Sequence, residues 1–100
     1  HLSRMSPVRK KVSDSPPGQF ASKLNRYLAH LNSENGWDAS GRALERATSN
    51  GRSYSYWRNL LLDERAMNAT DIQMLAEVFG TSPHAFARDA VTWHDHTTTR

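Results

Sequence analysis

Residues 42–62 read RALERATSNGRSYSYWRNLLL, and the fold turns on whether this stretch holds a strand or only helices. Arg52-Ser53-Tyr54-Ser55-Tyr56-Trp57 alternates like a strand, and Asn50-Gly51 before it is a hairpin signal. A hairpin needs a partner strand, and residues 39–49 do not supply one. They carry three alanines at helical spacing, with Ala39, Ala43, Leu44 and Ala47 on one face. Beyond Trp57, Leu60 and Leu61 follow at i+3 and i+4, so the aromatic stretch opens a helix at Ser53 or Tyr54. The whole segment therefore reads as helix, turn, helix. Asp38 serves as N-cap of the first helix, and Asn50-Gly51 breaks it.

Working outward, Phe20, Ala21, Leu24, Tyr27, Leu28 and Leu31 define an amphipathic helix on the N-terminal side, followed by a loop at 32–36. On the C-terminal side, Thr70 and Gln73 form a capping-box pattern for a fourth helix, with Ile72, Leu75, Ala76 and Phe79 facing inward. Gly80 closes it as the residue after the C-cap. Ser82-Pro83 then starts a fifth helix that buries Phe86, Ala90 and Val91. The expectation is an all-α domain of five short helices over residues 18–93. Residues 1–17, rich in Ser, Pro and basic residues, read as a disordered arm, and residues 94–100 as a frayed tail. Trp57, Leu60, Ile72, Leu75 and Phe79 are assigned to the core, with Trp37 and Trp93 covering its edges.

Composition narrows the chemistry. The chain holds 100 residues, enough for one domain, and no Cys. That removes disulfides, Cys-based zinc sites, iron–sulfur clusters and thiol catalysis together. No apolar run approaches the roughly 20 residues of a membrane span, and no secretory signal pattern is visible. A cytoplasmic protein is the reading. His94-Asp95-His96 lacks the histidine spacing of a zinc helix. None of the nucleophile-elbow, zinc-protease or P-loop motifs occurs, so neither an enzyme nor a metal, cofactor or small-molecule site is expected. The net charge of +3 equals that of residues 1–17, where Arg4, Arg9, Lys10 and Lys11 face only Asp14. Residues 42–65 add five Arg against Glu45, Asp63 and Glu64, while residues 66–96 are acidic. Such polarity turns one side of a molecule toward a polyanion.

At about 100° per residue, Ser55 and Asn59 fall opposite Trp57 on the third helix, with Arg58 and Tyr56 on its flanks. Asn pairs bidentately with adenine, Arg with guanine, and a hydroxyl adapts to either. The same polar face also suits a plain solvated helix. Ala47, Gly51, Ser53 and Trp57 then stand at the spacing of a helix-turn-helix, the small Ala allowing a close crossing and Gly taking the left-handed turn. With Ser55-Tyr56-Trp57-Arg58-Asn59-Leu60, Asn68-Ala69-Thr70, Leu75-Ala76-Glu77-Val78-Phe79-Gly80 and Phe86, the chain resembles the Cro/phage-repressor-like (XRE-type) DNA-binding family, above all its actinobacterial members. The resemblance covers about residues 39–87. It departs at Arg46, usually apolar in the family, at Leu61-Leu62-Asp63, where a polar residue and Gly often close the third helix, and in the long loop carrying Trp37.

The resemblance implies a lambda-repressor-like five-helix domain that binds double-stranded DNA and regulates transcription, foremost as a nucleoid-associated repressor. The third helix would enter the major groove. Ser55, Arg58 and Asn59 would read bases, joined by Tyr54 and Tyr56. Arg42, Arg52 and the N-cap of the second helix would hold phosphates, together with Arg9, Lys10 and Lys11 of the arm. The rival class is a protein-interaction module, such as an antitoxin or anti-repressor, with an exposed Leu61-Leu62 pair as its signature. Leu62 itself suits either a thymine methyl or a partner subunit. Few large apolar groups lie beyond the fifth helix, so a monomer or weak homodimer is expected in solution, with any pairing occurring on DNA.

Overall fold

The computed structural model describes residues 17–93, which form five α-helices and no strand. They are α1 (Gln19–Glu34), α2 (Arg42–Ala47), α3 (Tyr54–Leu61), α4 (Ala69–Val78) and α5 (Pro83–Thr92). The arm with Arg9, Lys10 and Lys11 and the tail with His94-Asp95-His96 lie outside the described residues. Residues 54–57 are helical and none of residues 52–57 is a strand, as the absence of a partner strand requires. Ser53 is the N-cap of α3, its hydroxyl accepting from the Tyr56 N–H.

Trp57 and Leu60 of α3 are fully buried and meet Leu24 and Leu28 of α1, Leu44 of α2, Leu75 of α4 and Phe86 of α5 in one core. Leu61, Ile72 and Phe79 pack against its margin. Trp37 lies 6.0 Å from Phe79, and Trp93 stacks on His30 at 4.8 Å, each closing an edge as expected. Two expected core residues sit outside. Phe20 is 56% exposed, because it lies in the first turn of α1, where the apolar stripe runs past the core. Val91 is 39% exposed, because the inner face of α5 is set by Phe86 and Ala90 and Val91 is rotated off it. Both line a shallow surface groove with Ala87.

The ends of the helices follow rules that differ in detail from the sequence reading. Asp38 does not cap α2. Its carboxylate accepts from the backbone and hydroxyl of Ser40, making a local turn, and Gly41 is the N-cap at φ +88°. Gly41 is required twice over. A Cβ there would collide with the Tyr54 carbonyl and lie 2.9 Å from the Arg58 amide, so α2 enters directly against the backbone of α3. This contact, rather than Ala47, brings the two helices close; Ala47 is exposed. The left-handed residues of the following turn are Ser49 and Asn50, at φ +56° and +62°, and not Gly51. Gly51 instead makes room for the Met74 side chain.

The capping box of α4 is Asn68 with Asp71, not Thr70 with Gln73. Asn68 Oδ1 accepts from the Asp71 amide at 2.8 Å and Asp71 Oδ2 from the Asn68 amide at 3.0 Å. Asp71, one turn before Leu75, is fully buried, so its burial brings the helix start forward. Gly80 follows the α4 C-cap at φ +69°, and Ser82 caps α5 with Pro83 in its first turn, as read. After α3, Asp63 adopts φ +59°, the left-handed position for which glycine is the usual choice. Its carboxylate accepts from Ser22 Oγ at 2.9 Å and from Asn25 Nδ2 at 2.9 Å, which offsets the conformational cost.

Candidate nucleic-acid interface

Ser53 caps α3 from outside the helix, and the buried pair Trp57 and Leu60 fixes its rotation. Tyr54, Ser55 and Arg58 are thereby exposed, with Leu62 (44% exposed) in line one turn beyond Arg58. Asn59 is half-buried at the edge of this face rather than central to it. The Arg42 guanidinium lies 3.9 Å from the centre of the Tyr54 ring, so α2 contributes a fixed cation beside the first turn of α3. The Tyr54 amide donates to Glu45 at 3.2 Å, which satisfies an otherwise unpaired helix donor.

Tyr56 and Arg52 occupy a different environment. Tyr56 is half-buried, and its hydroxyl donates to Asp71 Oδ2 at 2.6 Å. Arg52 Nε donates to Asp71 Oδ1 at 2.9 Å. Burial, helped by the bond to the Asp71 carboxylate, raises the Tyr56 pKa above the ordinary phenol value. The same carboxylate raises the Arg52 pKa, so that side chain stays cationic. Arg65 also rests its guanidinium 4.5 Å from the Tyr56 ring centre. Among the described residues, the ion pairs are Arg52–Asp71 and Arg88–Asp89; around α2 and α3 this leaves Arg42, Arg46, Arg58 and Arg65, and on α1 Lys23 and Arg26, outside any such pair.

Ser55, Arg58, Tyr54 and Arg42 thus stand together on one surface, with Arg52 and Tyr56 on its flank and Asn59 at its margin. The N-cap expected to hold a phosphate at α2 is Gly41, and α2 has only six residues. The rival reading loses half of its signature, since Leu61 packs against the core and only Leu62 is outward. Sequence reasoning missed Asp71 and Arg65. Asp71 had a legible signal, the Asn68-x-x-Asp71 capping pattern, whereas nothing local marks Arg65 as a neighbour of Tyr56. Among the described residues no group of acidic and histidine side chains is arranged to hold a metal ion, and no helix is long and apolar enough to cross a membrane. No family model, curated protein or solved structure matches the chain.

Proposed function

We propose that this protein binds double-stranded DNA through α3, reads sequence in the major groove and regulates transcription, as a repressor in the first instance. The single observation that carries the reading is the outward face of α3. Tyr54, Ser55 and Arg58 project from a helix whose opposite face, Trp57 and Leu60, is fully buried. A reading head must be held rigidly, and hydroxyl and guanidinium groups suit the donors and acceptors of base edges. Arg42, seated on Tyr54, and Arg52 supply phosphate contacts on either side. In this reading α2 and α3 are the two arms of a helix-turn-helix, and Asn59 contributes from the edge. The arm residues Arg9, Lys10 and Lys11 add charge to the same partner.

The test is binding of the full chain to a labelled random duplex at two salt concentrations, followed by selection from a random DNA pool. A DNA reader binds more weakly as salt rises and enriches a defined sequence. A protein-only module binds at neither concentration, and that result rejects the proposal.

A further inference from the structure

Two buried side chains, Asp71 and Asn25, and the half-buried Tyr56 ring converge on two arginines that flank α3. Asp71 is fully buried, and its two oxygens take the Arg52 Nε, the Tyr56 hydroxyl and the Asn68 amide. The Tyr56 ring, held by that bond, lies 4.9 Å from the Arg52 guanidinium and 4.5 Å from that of Arg65. The backbone of Arg65, though not its guanidinium, is anchored as well. Its carbonyl accepts from Asn25 Nδ2 at 2.8 Å, and Asn25 is itself fully buried and also holds Asp63. Two exposed or half-exposed guanidiniums are therefore gathered around one aromatic ring, and one of them is paired with a carboxylate. Both are cations, and Asp71 pairs with only one of them.

We propose that Arg52 and Arg65 form a seat for one phosphodiester group, with Tyr56 as its platform and Asp71 as the residue that positions it. This rests on the DNA-binding reading and adds to it a second contact, separate from the base-reading face. A phosphate that meets both guanidiniums supplies the counter-charge that Asp71 gives only to Arg52, and forked N–H donors match phosphate oxygens. Because ring and carboxylate already hold the side chains, little rotamer freedom is lost on binding. Arginine suits this position better than lysine, since its planar fork gives Nε to Asp71 and leaves its other N–H groups for a phosphate.

The experiment is a salt series of duplex binding by the full chain, using a labelled random duplex as probe. For Arg65→Ala and for Arg52→Gln, which keeps a neutral donor toward Asp71, affinity falls and the slope of log K against log salt shrinks by about 0.9 in each case, because the seat needs both cations. The double variant loses about 0.9 in total, because both side chains serve one phosphate. Tyr56→Phe keeps the ring but frees it from Asp71, and shifts affinity in the same direction. Arg88→Ala, whose guanidinium pairs with Asp89 on α5, leaves the slope unchanged. If wild type binds and the Arg65→Ala slope is unaltered, or the double variant loses twice the single increment, the seat is refuted while DNA binding stands. If wild type does not bind at low salt, both readings fall. Arg65 is exposed, so its variant reports even where an Arg52 variant does not fold.

Discussion

Trp57 and its neighbours Ser55 and Arg58 divide the work of one helix between stability and contact. Trp57 is fully buried, so Trp57→Ala costs about 3–5 kcal/mol of folding stability, measurable by chemical unfolding. Ser55→Ala and Arg58→Ala are expected to leave the unfolding free energy within about 0.5 kcal/mol. Each is expected to remove about 1–3 kcal/mol of preference for the selected site. Early melting of the exposed variants with normal discrimination would overturn the assignment of the face. Tyr56 allows a pH test. Its folded pKa is raised, so the contribution of its bond to Asp71 is complete below the unfolded phenol value, about 10, and is lost as pH rises through the folded value. The stability difference between wild type and Tyr56→Phe should therefore hold steady from pH 7 to about 10 and shrink above it.

At the scale of elements, the joints carry more information than the helices. Gly36 and Gly41 both have positive φ, yet their surroundings differ. Gly36 faces open space, so Gly36→Ala carries only the left-handed cost of about 1–2 kcal/mol. Gly41→Ala adds a collision with the backbone of α3 and should cost about 3 kcal/mol or more in the same assay. Equal losses for the two would show that α2 does not enter against α3 as described. The α4 start gives a second contrast. Asn68→Ala removes a cap and should cost about 1 kcal/mol, whereas Thr70→Ala, exposed and inside the first turn, should be near neutral. Both glycine and capping signals are visible in sequence; which glycine bears a close approach, and which of two overlapping boxes forms, depends on what lies across from them.

For the molecule as a whole, charge and apolar exposure set the expected behaviour. Deleting residues 1–16 removes the four basic groups that account for the net charge, and should reduce the salt slope of DNA binding by about 0.9 per lost phosphate contact. An unchanged slope would exclude the arm from the interface. The large hydrophobics exposed among the described residues are Phe20, Tyr54, Leu62 and Val91. Only Phe20 and Val91 share a groove, far short of the roughly 1,200 Å² that a stable interface buries. Sedimentation at micromolar concentration should accordingly report a monomer or a weakly associating dimer without DNA.

The five helices were legible in the sequence because their signals are local: apolar spacing for Leu24 and Leu28 or Trp57 and Leu60, Ser53 and Ser82 before helix starts, Gly80 after an end. Trp37 and Trp93 cover core edges, as expected of large aromatic side chains beside the core. The exposed residues of α3 were legible too, since burying Trp57 fixes the rotation of the helix; Asn59 was misplaced only by the breadth of the core face. What no local rule contains is the set of bonds that close the chain on itself. Asn25 reaches Asp63 across 38 positions, and Arg52 reaches Asp71 across 19. Buried polar groups must find partners, but a sequence does not say which ones. Only packing α1 beside the end of α3, and the start of α4 beside Tyr56, supplies those partners. It also turns Arg52, one of a run of surface cations, into a side chain held in place together with Arg65.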